Sequence, residues 1–414
     1  MTNKNNRYKH MKKVIFSLLI VGFCTTIKAQ EKKSILQLNT ITTAVPFLLI
    51  APDSRHGALG DAGVASSPDA NSMHWNGSKM AFIEKEMGVS ISYTPWLRDL
   101  VPDINLSYVS IYKKIGDGDH AIGSSLRFFS LGDIKFTDER GNPIGDFTPN
   151  EWAWDVGYSR KLSDRFSAGI AARYIYSNLT GGIDVAGSNT KAGTSFAADV
   201  SAFYTNPDAI LFGEDVIFNV GLNISNIGAK ISYTDDAIKD FIPINMRLGQ
   251  SLTFVMDDYN SITILTDVNK LLVPTPPEYA TDDSGKPIID PATGEQEIES
   301  GKNPDVPVVT GIFQSFNDAP GGFGEEMREI NISAGIEYWY NKQFAARFGY
   351  FHEHSTKGNR KFFTAGAGLK LSVFSIDFSY LFSTVARNPL ANTIRFTLRF
   401  DFDDFKSQNE STTN

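Results

Sequence analysis

Apolar and polar residues alternate without a break from residue 393 to residue 402. One set of alternate positions holds Ile394, Phe396, Leu398, Phe400 and Phe402, and the other holds Thr393, Arg395, Thr397, Arg399 and Asp401. Side chains alternate between the two faces of a strand, so the pattern predicts a strand with one apolar and one charged face. A barrel with lipid outside and water inside needs such strands, whereas an exposed soluble edge of this kind would aggregate. The alternative is the last strand of a soluble sandwich.

Comparable segments recur along the chain and predict fourteen strands. Their ranges are 87–95, 103–115, 119–130, 151–161, 165–177, 193–204, 215–225, 242–255, 259–270, 327–340, 343–354, 360–371, 373–384 and 391–402. They run near ten residues or more, against roughly 9–11 residues for a tilted membrane strand and roughly 5–6 residues for a soluble strand. The predicted fold class is therefore all-β, a 14-stranded antiparallel transmembrane β-barrel.

The connections between these strands alternate in length, as expected for a barrel with tight turns at one end and long loops at the other. The long connections are Leu131–Asn150, Asn178–Ala192, Asn226–Phe241 and Leu271–Glu326, and Thr205–Glu214 is the one oversized member of the short set. We expect the long loops outside the cell and, because the strand count is even, both termini in the periplasm. Aromatic residues near strand ends suit interfacial girdles, namely Tyr93, Trp96, Trp152, Trp154, Trp339 and Tyr340.

The first residues have the features of a secretory signal peptide. Met11-Lys12-Lys13 precedes an apolar run from Val14 to Phe23, and we expect cleavage after Ala29. The predicted organisation is then a removed signal at 1–29, a plug at 30–85, a barrel at 86–402 and a periplasmic tail at 403–414. Cys24 is the only cysteine, so the mature chain would have no thiol chemistry.

Residues 30–85 are rich in small and polar residues and lack strand periodicity. A fourteen-stranded barrel is too wide for its own side chains to fill, so we predict that this segment is a plug, or hatch, inside the lumen. Its motif residues are Asp53, Arg55, Gly60, Asp61, Asp69, Asn71, Trp75 and Asn76. Arg173, Arg395 and Arg399 lie on polar strand faces and are expected to pair with plug acids such as Asp53 or Asp61. The alternative is a disordered periplasmic leader.

Part of the plug resembles known families. Asp69-Ala70 and Trp75-Asn76 match the hatch motif D-A-x(4)-W-N-P-A of the FadL family of outer-membrane transporters, with Gly77-Ser78 in place of the usual Pro-Ala. More specifically, residues 44–55 and 60–76 resemble the PorV (LptO) family of the type IX secretion system. The related PorQ barrels share the glycine-rich part.

This resemblance implies an outer-membrane component of the type IX protein secretion system. Such proteins bind the giant translocon barrel, SprA or Sov, and receive cargo through its C-terminal signal domain. They carry the cargo to the cell-surface attachment complex that contains the PorU sortase. The expected partners are these proteins and outer-membrane lipid. Two alternatives stay open: a FadL-like transporter of hydrophobic small molecules, and a lipid A-modifying enzyme suggested by the name LptO.

Charge and motifs exclude several other classes. The net charge is −8, and residues 1–29 carry six Lys and Arg and no acid, so the mature chain is more acidic still and unsuited to nucleic acid. His352 and His354 are two apart on one predicted strand, but no further ligand stands at a telling spacing. We therefore expect no metal, no cofactor, no catalytic residue and no enzymatic activity.

The loop Leu271–Glu326 contains an apolar run in its second half. An exposed apolar run is costly unless it folds back or meets a partner, so it marks a candidate partner-binding surface. Its residues are Val308, Val309, Ile312, Phe313 and Phe316. The alternative is that this half folds back as a lid over the barrel mouth.

Overall fold

The computed structural model describes residues 38–97, 101, 103–137, 140, 142–182, 189–234, 239–385 and 390–402. The predicted signal peptide at 1–29 and the tail at 403–414 lie outside the described residues. Within the described residues, no helix combines the length and the apolar character needed to cross a membrane.

Fourteen strands form a closed antiparallel barrel, as the sequence predicts. They are β1 Met87–Pro95, β2 Ile104–Ile115, β3 His120–Leu131, β4 Asn150–Ser163, β5 Phe166–Asn178, β6 Gly193–Leu211, β7 Glu214–Gly228, β8 Asn245–Val255, β9 Asn260–Leu271, β10 Asn331–Tyr340, β11 Phe344–His352, β12 Lys361–Lys370, β13 Phe374–Ser383 and β14 Ile394–Asp401. The last strand pairs with the first through the register Ile91↔Leu398, which closes the sheet. Closure leaves no unpaired strand edge, as a membrane span requires.

Short helices and two hairpins are not part of the barrel wall. The helices are Pro46–Leu49, Ser54–Gly57, Ser72–Trp75, Gly77–Phe82, Val308–Gln314, Phe323–Glu326 and Met327–Glu329. One hairpin pairs Ile134–Thr137 with Pro143–Phe147, and the other pairs Glu278–Tyr279 with Ile298–Ser300. Both hairpins lie in long connections, at the barrel end that we call the long-loop end; the other is the short-turn end.

One predicted connection is wrong. The segment 205–214 is not a loop, because β6 runs on to Leu211 and turns into β7 through Phe212 and Gly213, both with positive φ. The segment contains Pro207, which has no N–H for the ladder. The strand accommodates it at a register shift between Asn206 and Ala209.

The predicted alternation sets the two faces of the wall. In β14 the Phe396 side chain is 50% exposed on the outside, whereas Arg395 and Thr397 are buried on the inside. Other outward side chains form an apolar band, including Ile91, Val109, Ile122, Leu126, Val156, Ile170, Val200, Leu248, Ile332, Ile336, Phe348, Phe363, Ile376 and Phe378. This band is the surface that a lipid bilayer requires.

Two of the aromatic residues predicted for the interfacial girdles do not face the membrane. Tyr93, Trp154 and Tyr340 are exposed outward. Trp96 instead packs in the apolar cluster at the long-loop end, and Trp339 lines a cavity inside the short-turn end. Trp339 falls on the inward phase of β10, and Trp96 lies just beyond the end of β1.

The chain enters the barrel at the long-loop end. Asn39 donates its backbone N–H to the Thr356 carbonyl and its side-chain amide to the Pro276 carbonyl, and both acceptors belong to long connections. The chain then passes down the lumen and joins β1 at Met87, at the short-turn end. The prediction for the N-terminus itself concerns residues outside the described ones.

The apolar band predicts how substitutions act. We expect Val109→Arg, near the middle of β2, to lower the free energy of unfolding in lipid vesicles by about 2–4 kcal/mol, because an arginine would face the hydrocarbon. The matched control is Ile289→Arg, on an exposed part of the long connection after β9, which should change it little. Urea titration of both variants measures this, and equal effects would contradict a lipid-facing Val109.

Candidate functional site

The segment from residue 44 to residue 83, which we call the plug, is buried inside the barrel. It hydrogen-bonds to inward-facing residues of strands all around the wall. The contacts include Ser54 N to Thr397 Oγ1 (2.8 Å), Gly60 N to Thr364 Oγ1 (2.9 Å), Gly63 N to Asp267 Oδ2 (2.6 Å), Ser78 N to Ser201 Oγ (3.0 Å), Ser110 Oγ to the Ala70 carbonyl (2.7 Å) and Arg127 Nη1 to the Leu48 carbonyl (2.7 Å). A polar wall and a polar plug therefore satisfy each other's hydrogen-bonding groups.

Six alternating charges form a closed ring across the plug and the wall, which we call the charge ring. Its successive contacts are Arg55–Asp69 (2.9 Å), Asp69–Arg399 (3.1 Å), Arg399–Asp377 (3.0 Å), Asp377–Arg347 (2.7 Å), Arg347–Glu337 (2.6 Å) and Glu337–Arg55 (2.8 Å). Two members come from the plug and four from β10, β11, β13 and β14. The ring is electrically neutral and almost wholly buried.

The charge ring favours the ionised form of Asp69, the acid that the plug contributes to it. Burial by itself would raise the pKa of Asp69, but the guanidinium groups of Arg55 and Arg399 outweigh it and hold the pKa well below its usual value. Asp69 therefore stays ionised at any physiological pH. It bridges one arginine of the plug and one of the wall.

The predicted arginine–acid pairs form only in part. Arg395 lies 3.8 Å from Asp61, and Arg399 reaches the plug through Asp69. Arg173 instead pairs within the wall, with Asp155 and with Asp199 at 3.0 Å. Asp53 bonds inside the plug, where it accepts from the Trp75 indole (2.6 Å) and from the backbone N–H of His56 (3.1 Å).

Asp53, His56 and Ser66 have the contacts of a hydrolase triad. His56 Nδ1 lies 2.8 Å from Asp53 Oδ2, and His56 Nε2 lies 2.8 Å from Ser66 Oγ. All three side chains have no exposed surface, and Ser66 Oγ also donates to the Gly63 carbonyl and accepts a hydrogen bond from Lys79 Nζ. In these buried positions the three side chains brace the turn between residues 53 and 66. Burial lowers the pKa of Lys79 to about 8.

The other motif residues fit the plug tightly against the wall. Asn76 donates to the carbonyls of Val64 in the plug and Ala202 in β6. Asn71 is buried at the start of the helix Ser72–Trp75. Gly60 has φ +68° and an added Cβ would lie 2.5 Å from the Tyr350 carbonyl oxygen, so only glycine fits there.

Sequence reasoning missed the wall side of this site. Glu337, Arg347 and Asp377 complete the charge ring, and Asp267 accepts the backbone N–H groups of Gly63 and Val64. Each is a charged residue on the inward phase of a predicted strand, which was the available signal. The tertiary structure shows which of these side chains meet, since Glu337 and Arg347 lie on adjacent strands whereas Arg347 reaches Asp377 across β12.

The apolar run of the long connection folds as the helix Val308–Gln314, and its two faces differ. Val308 and Ile312 pack against the apolar cluster at the long-loop end, which includes Phe47 of the plug. Val309 and Phe313 point away, with 65% and 72% of their surfaces exposed, and Phe316 just beyond the helix is 47% exposed. One face of the helix therefore folds back over the barrel mouth, as the lid alternative predicts. The other face remains an exposed apolar surface.

Ion pairs fasten this connection to the barrel, in a cluster that we call the latch. Lys270 lies 3.0 Å from Glu326 and 2.7 Å from Glu329, and Lys357 lies 2.5 Å from Glu325 and 3.0 Å from Glu329. Asn39 joins it by donating to Glu325 Oε1 at 3.0 Å. The latch connects the end of β9, two long connections and the start of the described chain.

The charge ring predicts a large effect of one substitution. We expect Asp69→Asn to destabilise the protein by about 3–5 kcal/mol, because it leaves Arg55 and Arg399 buried and short of a carboxylate. Urea unfolding and limited proteolysis of the plug measure the loss. The exposed pair Arg165–Asp208 supplies the control, since Asp208→Asn should leave both readouts unchanged. Equal stability of the two variants would show that the ring does not hold the plug.

Comparison with solved structures finds barrels of low sequence identity. A Pseudomonas aeruginosa FadL homologue is 12% identical with a TM-score of 0.42, covering 88% of this chain and 100% of its own. The Pseudomonas putida toluene transporter TodX is 12% identical with a TM-score of 0.45, covering 88% and 99%. The monoaromatic hydrocarbon channel CymD is 12% identical with a TM-score of 0.47, covering 86% and 98%.

Sequence comparison is more specific. A search of curated proteins finds no match. The family described as type IX secretion system protein PorV matches residues 32–278, which is more than half of the chain and includes the whole plug. The chain therefore belongs to the PorV family of type IX secretion system proteins.

Proposed function

We propose that this protein is the outer-membrane component of a type IX secretion system that binds the translocon barrel, SprA or Sov, and the C-terminal signal domains of cargo. It carries secreted proteins to the attachment complex that contains the PorU sortase. Membership of the PorV family supports the pathway, and the exposed apolar face of the helix Val308–Gln314 supports protein docking. In this proposal the long-loop end faces outward and the short-turn end faces the periplasm.

The exposed face of the helix is the observation that carries the docking proposal. Aromatic and aliphatic side chains that stay exposed on a firmly held element are typical anchors of protein interfaces. Here the inner face packs on the apolar cluster and the latch fixes the surrounding connection. The face is therefore presented in one orientation, which lowers the entropy cost of binding.

A transporter of hydrophobic compounds is the second candidate, and one observation favours it. A cavity of about 370 Å³ lies at the long-loop end between residues 40–51 and the wall. Its lining combines apolar side chains such as Leu49 and Phe362 with charged ones such as Arg247. Loss of growth on a lipid or hydrocarbon in a deletion strain that secretes normally would select this candidate.

The docking surface can be tested by substitution. We expect Val309→Ser with Phe313→Ser to reduce secretion of cargo and co-purification of the translocon by about ten-fold, because the exposed anchors are lost while the packed face is kept. Barrel assembly, measured by heat-modifiable migration, should not change. Val308 and Ile312 are unsuitable targets, since serine there would disturb the apolar cluster.

The control for this test is Phe212→Ser, which removes a side chain of similar exposure from the short-turn end. Secretion in that variant should match the parent protein. Normal secretion and normal co-purification in the Val309→Ser, Phe313→Ser protein would remove the proposed surface.

A further inference from the structure

A second cavity, of about 260 Å³, lies inside the short-turn end of the barrel. Its inner surface is formed by three members of the charge ring, Arg55 and Asp69 of the plug and Arg399 of β14. Its rim includes Lys342, in the turn between β10 and β11, and Lys370, the last residue of β12. It lies at the opposite end of the barrel from the helix Val308–Gln314 and plays no part in the docking proposed there.

Positive charge exceeds negative charge in this cavity. The lining has four cationic side chains, of Arg55, Arg399, Lys342 and Lys370, against the carboxylates of Asp69 and Asp401. The two arginines are engaged in the charge ring, which is neutral by itself. The surplus therefore comes from the lysines at the rim.

Neither lysine has a carboxylate partner. Among the described residues, no acid lies within 4.0 Å of the Lys342 or Lys370 ammonium group, and neither group makes a side-chain hydrogen bond. Lys342 is exposed and Lys370 is half-buried on the inward phase of its strand. Deeper in the cavity, Arg399 Nε is buried and has no acceptor among the described residues. These three hydrogen-bond donors, which have no acceptor among the described residues, line the same cavity.

The lining also includes uncharged donors. Ser261 and Ser375 contribute hydroxyl groups, and Trp339 contributes an indole. A carboxylate accepts several charge-assisted hydrogen bonds at once, and lysine and arginine are its usual donors. The cavity has the size and the charge for one or two such groups, and it faces the lumen rather than the apolar outer band.

We propose that this cavity binds carboxylate side chains of an acidic peptide segment. One source is close in the sequence: the chain leaves β14 at Asp401, on the lining, and continues with Phe402, Asp403 and Asp404. At about 3.3–3.6 Å per residue, the carboxylates of Asp403 and Asp404 can reach the cavity from there. An acidic segment of a partner protein would offer the same chemistry.

The test is fluorescence anisotropy with a labelled peptide that has the sequence of residues 401–410, added to the full-length barrel in detergent. The receiving chain carries Asp403→Asn and Asp404→Asn, so that its own tail cannot compete. We expect saturable binding that weakens as salt is raised. Adding Lys342→Gln and Lys370→Gln should weaken it by about ten-fold.

Three further measurements test which charges the binding requires and which segment supplies them. Lys286→Gln, at an exposed turn of the long connection, is the charge-matched control and should leave binding unchanged. A peptide with asparagine at every acidic position should bind about ten-fold more weakly. Stronger peptide binding to the Asp403→Asn, Asp404→Asn chain than to the parent chain would identify the tail as the occupant. Equal binding would support the site with a partner's acidic segment as its source.

The proposal is overturned if the peptide does not bind the Asp403→Asn, Asp404→Asn chain, or if Lys342→Gln with Lys370→Gln leaves the affinity unchanged. Both readouts are independent of secretion, and both lysines lie outside the charge ring, so the variants should keep the parent's unfolding midpoint.

Discussion

The rest of the structure depends on the neutral charge ring that joins the plug to the wall. A wide barrel encloses more space than its own side chains fill, and its inner wall must be polar where its outer wall is apolar. Whatever fills the lumen must therefore satisfy buried charges, because a buried arginine without a carboxylate costs several kcal/mol, on the order of 3–5. Arg55 and Asp69 of the plug meet this demand at one position in the lumen.

The charge ring determines where the plug lies in the lumen more than it adds to the free energy of unfolding. Buried ion pairs roughly offset their own desolvation, but a misplaced plug would leave Arg55 buried without Glu337 and would take Asp69 away from Arg399. The backbone of the plug is also fitted closely, since Gly60 abuts the wall where no Cβ could stand. Electrostatics and close packing thus specify the same arrangement.

The two ends of the barrel differ chemically because the connections differ. Long connections at one end carry enough apolar residues to build a cluster over the plug, and the latch holds a helix on it with Val309 and Phe313 outward. Short turns at the other end leave the bottom of the plug uncovered, and lysines at strand ends give that opening a positive charge. Membership of the PorV family places the chain among type IX secretion system proteins.

The sequence by itself predicted fourteen strands, the two faces of the strands whose alternation is plain, and a plug in residues 30–85. Alternation has a period of two, so ten residues are enough to assign both faces, and Arg395 and Arg399 were placed inside from β14 alone. The motifs in residues 44–76 were likewise readable as a family signature. Where proline interrupted the pattern, at Pro207, the strand end was misplaced.

The partners of the charges were decided only by the tertiary structure. Glu337 and Asp377 are about forty residues apart in the chain, yet both bond to Arg347. Glu337 lies on the adjacent strand β10, and Asp377 lies on β13, beyond β12, where Gly368 leaves room for the Arg347 side chain to pass. The same holds for the helix Val308–Gln314, whose composition is apolar on both faces. Which face is buried follows from the position of the cluster beneath it, and a local sequence pattern contains no information about that distant surface.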